Sequence, residues 1–189
     1  MIINTLAGTV KLDRAGIVLK EPETNNFVIQ NIIGFGQEEL LSLTQDRFLI
    51  SYLEKNKNPV SSEELPWIIE KVQDFGEKRN LEKLSQDMRN AKAGLCLPLL
   101  IGEELIGMII LGNKLSGDPY SSQDFDLLTT LSHQAAVAIN NAISYEEIRK
   151  GKTELERFYK VTVGRELKMA ELKERIKKLE EKTKEKEGS

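Results

Sequence analysis

The sequence contains few of the residues that build disulfide frameworks, zinc sites or nucleophilic catalytic centres. Its 189 residues include one cysteine, Cys96, and one histidine, His133. A single cysteine cannot form a disulfide within the chain, and this composition is typical of a reducing compartment. One thiol and one imidazole are too few for an ordinary cysteine–histidine zinc site. The sequence therefore predicts a cytoplasmic protein with no metal, no evident cofactor and no catalytic residues.

Long apolar runs and an excess of basic residues are also missing. The chain has 27 Lys and Arg against 30 Asp and Glu, which gives a net charge of -3. A nucleic-acid-binding domain usually presents a basic face, so we expect no nucleic-acid partner. No stretch approaches the roughly 18 apolar residues of a transmembrane helix, and the first residues lack the basic region of a signal peptide. We therefore expect no membrane segment.

Proline is absent after Pro119, and this absence favours one long C-terminal helix. Ser121 or Ser122 is suited to cap its N-terminus, and Asp124 lies in its first turn. Apolar and charged residues then continue at helical spacing to about Lys186. Such a helix is on the order of 95 Å long, too long to pack on a domain of this size. Most of it is therefore expected to contact another partner.

The second half of this helix carries apolar residues in alternating steps of four and three. This a/d heptad spacing predicts a homodimer through the C-terminal helix, although a single solvated helix is the alternative. The middle of the seam is polar, and Gly151 and Gly164 weaken the helix, so register or rotation changes there at low cost. The spacing leaves parallel and antiparallel pairing open. The seam residues are Phe158, Thr162, Arg165, Met169, Leu172, Ile176 and Leu179.

The first two thirds of the chain alternate between short β-branched runs and amphipathic helical segments. The pattern predicts strands over residues 15–20, 26–33, 93–101 and 105–112, with Pro98 at a sheet edge or bulge. Residues 46–54 form an apolar-rich segment, and residues 61–64 are suited to cap the helix that follows them. Helices are predicted over residues 3–11, 37–43, 66–74 and 77–89. Because the first begins almost at Met1, we expect the natural protein to extend upstream.

The segment from Leu95 to Ala142 resembles the second half of GAF domains, and residues 13–19 match the first half more loosely. The resemblance covers residues 3–144 and implies an α+β fold, an antiparallel sheet flanked by helices. It implies a GAF sensory domain over residues 1–145 and a coiled-coil signalling helix over 146–189. Residues 155–172 are similar to linkers that follow sensory domains in bacterial histidine kinases. The matching positions are Pro98-Leu99, Gly107, Lys114, Tyr120-Ser121, Asp124 and Gln134 to Ala142.

One submotif of nucleotide-binding GAF domains is matched only in part. Asn113 and Lys114 match its Asn-Lys pair, Tyr120 stands for its Phe, and Asp124 matches its Asp. Phe125 replaces the Glu that follows, so the match does not by itself predict cyclic-nucleotide binding. The resemblance implies that Lys114 and Asp124 form a structural ion pair between the loop and the start of the helix.

Two further residues, His133 and Cys96, are of types that carry chemistry in related proteins. The residues after His133 are Gln134 and two alanines, whereas the phosphoacceptor box of histidine kinases has an acidic residue there. Cys96 is followed by Leu97, where bilin-binding relatives usually have His, and sulfoxide-reducing relatives need a second cysteine. We therefore interpret His133 as a surface or interface residue and Cys96 as a small buried apolar residue.

A ligand pocket, if present, is expected between the sheet and the helices spanning residues 37–89. The alternative is that the same side chains fill a closed core, because apolar patterning alone does not separate the two. The candidate lining residues are Phe27, Ile29, Phe35, Trp67 and Cys96.

These features together predict a sensory and dimerisation module of a signal-transduction protein. It would relay the binding of a small molecule or partner through a dimeric helix to an output domain outside this chain, as in a histidine kinase of a two-component system. A ligand-free constitutive dimerisation module is the alternative, and a cyclic-nucleotide-binding GAF domain is a further one.

Overall fold

The computed structural model describes the backbone of residues 11–45 and 48–187, and the side chains of residues 11–44 and 48–176. The helix predicted over residues 3–11 lies almost wholly outside this range. The described part contains five strands and five helices. In chain order they are β1 (Ala15–Lys20), β2 (Phe27–Ile33), α1 (Gln37–Gln45), α2 (Phe48–Asn56), β3 (Val60–Ser61), α3 (Leu65–Lys71), α4 (Phe75–Ala91), β4 (Ala93–Ile101), β5 (Glu104–Gly112) and α5 (Ser122–Glu187).

The strands form one antiparallel sheet in the order β2-β1-β5-β4-β3. The two predicted hairpins, β1–β2 and β4–β5, are both present, and β5 lies at the centre. Pro98 pairs with Met108 of β5, while β3 pairs only with Leu95 and Cys96. The side of Pro98 away from β5 therefore faces a sheet edge, where the missing N–H of proline costs no ladder hydrogen bond.

Both faces of the sheet are apolar, and each is covered by different helices. On β4, Leu95, Leu97 and Leu99 belong to one buried cluster, whereas Cys96 belongs to the other. This alternation follows from the two-residue period of a strand. The cluster containing Cys96 packs against α1 to α4, and the cluster containing Leu97 packs against the first turns of α5, through Leu128, Ala135 and Ala136. The fold class is therefore α+β, as predicted.

The helices differ from the sequence prediction in two places. The apolar-rich segment after residue 45 is a helix, α2, which buries Leu49, Ile50 and Leu53. The proposed cap at residues 61–64 is wrong, because Glu64 occupies the N-cap of α3 without a side-chain hydrogen bond. The side chain that does cap a helix here is Asp74, which accepts a hydrogen bond from the Glu77 N–H of α4 at 2.7 Å.

The chain divides into two compact units, residues 1–140 and 141–189. In the first unit, α5 buries one stripe of its surface, which includes Leu128, Ser132 and Ala136. In the second unit, nearly every side chain described between residues 141 and 176 is exposed. None of the helices in the described part is long and apolar enough to cross a membrane.

The close approach of β4 to the end of β5 depends on Gly94. A Cβ at this position would lie 2.6 Å from Asn113 Oδ1 and 2.8 Å from the Gly112 carbonyl oxygen. We expect Gly94→Ala to lower the free energy of unfolding by about 1–3 kcal/mol, measured by urea denaturation, because the backbone cannot move away cheaply. Gly164→Ala is the control, because Gly164 lies outside the a and d positions of the seam. It has no neighbouring atom within 4 Å and should stabilise α5 by about 0.5–1 kcal/mol. A Gly94→Ala variant as stable as the wild type would contradict this account of the packing.

Candidate functional site

The start of α5 is fixed by a cluster of hydrogen bonds centred on Asp124. Its Oδ2 accepts hydrogen bonds from the Lys114 ammonium, the Ser121 N–H and the Ser121 hydroxyl, each at 2.8 Å. The Ser121 Oγ in turn lies 3.2 Å from the Asp124 N–H. This reciprocal arrangement is a capping box with Asp in place of Glu. We call Lys114, Ser121 and Asp124 the α5 latch.

The electrostatics of the latch favour the ionised carboxylate. The hydrogen bond from Lys114, together with the Ser121 N–H, lowers the pKa of Asp124 to about 2. The side chains of Lys114 and Asp124 are only 16% and 21% exposed, so solvent screens the pair less than an ion pair on an open surface. The ion pair expected from the sequence is therefore present in the structure and ties the loop after β5 to the first turn of α5.

Tyr120 fixes the other side of the same loop. Its hydroxyl donates a hydrogen bond to the Gly112 carbonyl oxygen at 2.5 Å, and its ring meets the Phe125 ring edge-on at 6.3 Å. Burial is the main cause that raises the pKa of Tyr120 above its ordinary value. The hydroxyl adds a bond that a Phe at this position would lack, so the loop between β5 and α5 is held at both ends.

Four of the five residues predicted to line a pocket lie in one apolar cluster. Phe35 and Cys96 are buried, and Phe27 and Ile29 are half-buried against them. Trp67 is 69% exposed and does not join the others. The reason is the helical period of α3, in which Leu65, Ile68 and Ile69 face the core and Trp67 lies on the opposite side. Whether the other four line a pocket stays a prediction.

Cys96 and His133 lie in different environments. Cys96 is fully buried, and desolvation raises the pKa of its thiol to about 12, so it is present as the weakly reactive thiol near neutral pH. His133 is exposed on the part of α5 that belongs to the first unit. Among the described residues, no group of three or more His, Cys, Asp or Glu side chains is arranged to hold a metal ion.

Two of the clefts that described residues line lie on the surface of the first unit. The larger has a volume of about 360 Å³ and lies between α1, α2 and α4, with Leu43, Leu49 and Leu84 on its apolar side. The smaller, of about 240 Å³, lies beside the latch and includes Lys114 in its wall. Neither cleft includes any of the five residues predicted for a pocket, because apolar patterning identifies core residues and carries no signal for surface clefts.

The predicted dimer seam is exposed wherever its side chains are described. Phe158, Met169, Leu172 and Ile176 are between 48% and 71% exposed, and Thr162 and Arg165 are exposed as well. The side chain of Leu179 lies outside the described residues. Counting the same heptads backward adds Leu155, Gly151 and Ile148 to the seam. The two apolar residues among them, Ile148 and Leu155, are 71% and 67% exposed. These residues form an uncovered apolar stripe along the second unit.

The family comparison covers the second half of the first unit. Residues 60–140 match the family model of the GAF domain. This range begins at β3 and includes α3, α4, β4, β5, the latch and the buried turns of α5. No curated protein is significantly similar to the chain.

The fold is similar to several solved structures of low sequence identity. A domain of a methyl-accepting chemotaxis protein is 14% identical, with a TM-score of 0.54 over 74% of this chain and 85% of that one. A domain from a protein described as a two-component sensor histidine kinase of Sinorhizobium meliloti is 13% identical, with a TM-score of 0.51 over 78% and 92%. A GAF domain/HD domain protein of Geobacter sulfurreducens is 15% identical, with a TM-score of 0.51 over 74% and 87%. At these identities the likeness shows a shared fold.

The depressed pKa of Asp124 gives a pH-dependent prediction. The ionised carboxylate stabilises the fold fully above the ordinary Asp pKa, and the contribution is lost as pH falls towards about 2. We expect Asp124→Asn to lower the free energy of unfolding at pH 7 by about 1–2 kcal/mol, and this deficit to shrink between about pH 4 and pH 2.

Urea denaturation of both proteins across this pH range measures the effect. Asp126→Asn is the matched control, because Asp126 is exposed in the same part of α5 and its side chain makes no hydrogen bond or ion pair within the described residues. A deficit that stays constant down to pH 2 would contradict the role given to the charge of Asp124.

Proposed function

Because residues 60–140 match the family model of the GAF domain, we propose that this chain is a sensory and dimerisation module of a cytoplasmic signal-transduction protein. Ligand or partner binding to the GAF domain would be relayed through a dimeric α5 to an output domain elsewhere in the protein, as in a histidine kinase. The role is regulatory, with the chemistry carried out by that other domain.

The observation that supports this proposal most directly is that α5 buries apolar residues in its first part and exposes apolar residues in its second part. In the first unit it covers the sheet through Leu128, Ala135 and Ala136. In the second unit it presents the seam, which includes Leu155, Phe158 and Leu172. An apolar stripe of this kind is unfavourable in water, and packing against the same stripe of a second copy removes it from solvent. The helix thus belongs both to the sensory core and to the proposed dimer contact.

In a parallel pair, the charges beside the seam would make one attractive contact and one unfavourable contact. In that arrangement Glu147 at position g lies near Lys152 at position e of the second copy, which is an attractive contact. Lys168 and Lys173 form a like-charged contact at the corresponding positions further along. The unfavourable contact lies next to the polar layers of Thr162 and Arg165, so the weakest part of the proposed coil is concentrated there.

The polar layers give the relay a physical basis. Two Arg165 side chains opposite each other repel, and neither arginine nor threonine packs like an apolar seam residue. Two packings of the coil therefore differ little in free energy at this point. A ligand that binds one packing more tightly than the other increases the population of that packing. The size of the shift is set by the difference between its two binding free energies, which in allosteric proteins is typically about 1–3 kcal/mol.

A second candidate is a constitutive dimerisation module that binds no ligand. It is favoured by the closed cluster of Phe35, Leu40, Leu53, Met88 and Cys96, all buried between the sheet and the helices. In this case the GAF domain would supply a rigid base for the dimer, and α5 would hold the output domains together without a switch.

The first test is the molar mass of the chain in solution by light scattering, with and without the residues after Lys150. A dimer that becomes a monomer on truncation supports a contact through the seam and a relay along it. A dimer that survives truncation places the main contact in the first unit. A monomer in both cases overturns the dimeric relay.

Arg165 gives a sharper prediction at a single residue. We expect Arg165→Leu to lower the dimer dissociation constant by about tenfold or more, because an apolar layer replaces two facing charges. Sedimentation equilibrium at several concentrations measures this constant. Arg157→Leu is the matched control, since Arg157 lies outside the a and d positions and is also exposed. Equal effects of the two substitutions would mean that Arg165 does not lie in the interface.

A further inference from the structure

A small polar cleft lies where the start of β1, the end of α4 and the end of β5 meet. Its volume is about 240 Å³, and its walls are Asp13, Arg14, Lys92, Asn113, Lys114 and Leu115. This volume is below the range of about 300–1,000 Å³ typical of sites for drug-sized ligands, so it suits a ligand of a few heavy atoms. Three of the six lining residues are cationic and one is acidic. We propose that this cleft binds a small oxyanion of the phosphate class.

The cations of the cleft keep donors available after their internal contacts are counted. Arg14 uses one guanidinium nitrogen for Glu39 at 3.0 Å, and its Nε lies 3.6 Å from Asp13. An arginine has five N–H donors, so these contacts do not exhaust it. Lys114 donates to Asp124, and an ammonium has three donors. Arg14 and Lys114 are also 18% and 16% exposed, so they are held in place rather than free in solvent.

The acidic groups around the cleft reduce its positive potential but do not fill it. Glu39 and Asp124 are each already hydrogen-bonded to donors of the fold, including the Gly36 N–H and the Ser121 N–H. Asp13 is the carboxylate in the wall itself, and it is half-exposed to water. An oxyanion would therefore meet the remaining donors of Arg14, Lys92 and Lys114, with Asp13 as the repulsive carboxylate in the wall itself.

Lys92 is the cation of the cleft whose side chain is most available to bind a ligand. Among the described residues it has no ion pair or side-chain hydrogen bond. Its charge nevertheless contributes, after the Gly36 N–H and Arg14, to the lowered pKa of Glu39, so it lies within electrostatic reach of this cluster. Lys92 also ends α4 in the left-handed conformation, at φ 54°, where glycine is the usual residue. A side chain at this position is strained, and it places a charge in the wall of the cleft.

The cleft and the latch share one residue, and this sharing suggests a use for the site. Lys114 lies in the wall of the cleft and also donates to Asp124 in the first turn of α5. An oxyanion that draws the Lys114 ammonium towards itself weakens its bond to Asp124. The capping of α5 then depends on occupancy of the cleft. This second step rests on the proposed function, whereas oxyanion binding does not.

Substitution of Lys92 by glycine separates binding from folding. Lys92→Gly removes the charge and relieves the left-handed strain, so we expect the variant to be at least as stable as the wild type. Lys57→Gly is the matched control, because Lys57 also has a positive φ, of 56°, at the end of α2. It lies outside the cleft, and the change removes only its ion pair with Glu103.

The experiment is a titration of the full chain with inorganic phosphate, followed by the amide resonances of Arg14, Asn113, Lys114 and Leu115, at constant ionic strength set with chloride. We expect saturable shifts in the wild type and in Lys57→Gly, and an affinity reduced about tenfold in Lys92→Gly. Shifts that do not saturate by 50 mM phosphate, or equal affinity in Lys92→Gly, overturn the site.

The same titration reports on the coupling to α5. If the cleft acts on the latch, the amides of Ser121 and Asp124 shift with the same saturation curve as those of the cleft. Saturable binding without these shifts overturns the coupling and leaves the oxyanion site supported. Because the proposed relay is tested by molar mass and this site by phosphate titration, failure of one is distinguishable from failure of the other.

Discussion

The sheet is apolar on both faces, and the need to cover both faces organises the rest of the molecule. Helices α1 to α4 come from the connection between β2 and β4 and cover one face, where Cys96 and Met108 are buried. The other face, with Leu97 and Ile109, is left to the first turns of α5. Burial of apolar area stabilises the fold by about 25 cal/mol per Å², so this part of α5 belongs to the core and is fixed by it.

Several polar contacts of the first unit lie in the loop that joins β5 to α5. Tyr120 bonds to Gly112, and Lys114 and Ser121 bond to Asp124, all around one loop. These bonds satisfy donors at the start of a long helix, which otherwise lack intrahelical partners. The proposed oxyanion cleft shares Lys114 with this loop, so a ligand bound there would act on the start of the helix.

The second half of α5 has the opposite character, because its described apolar side chains are exposed. A helix of this kind is stabilised by a partner rather than by its own fold. The proposed function depends on this difference between the two halves of one helix. In the proposed relay, the core would supply one fixed end, and the seam would supply packings of similar free energy from which a binding event selects one.

The sequence by itself determined four of the five strands, the long proline-free helix and the resemblance that indicated the fold, because periodicity, proline and short motifs are local signals. It also predicted the heptad seam, but it did not indicate the two-residue strand β3. It also indicated Lys114 and Asp124, which are ten residues apart. Only the tertiary structure decided that Trp67 points away from the core while Cys96 is buried in it, since both lie in apolar segments. The tertiary structure alone places Arg14, Lys92 and Lys114 around one cleft. These residues are separated by up to 100 positions, and only the pairing of β1 with β5 and the end of α4 bring them together.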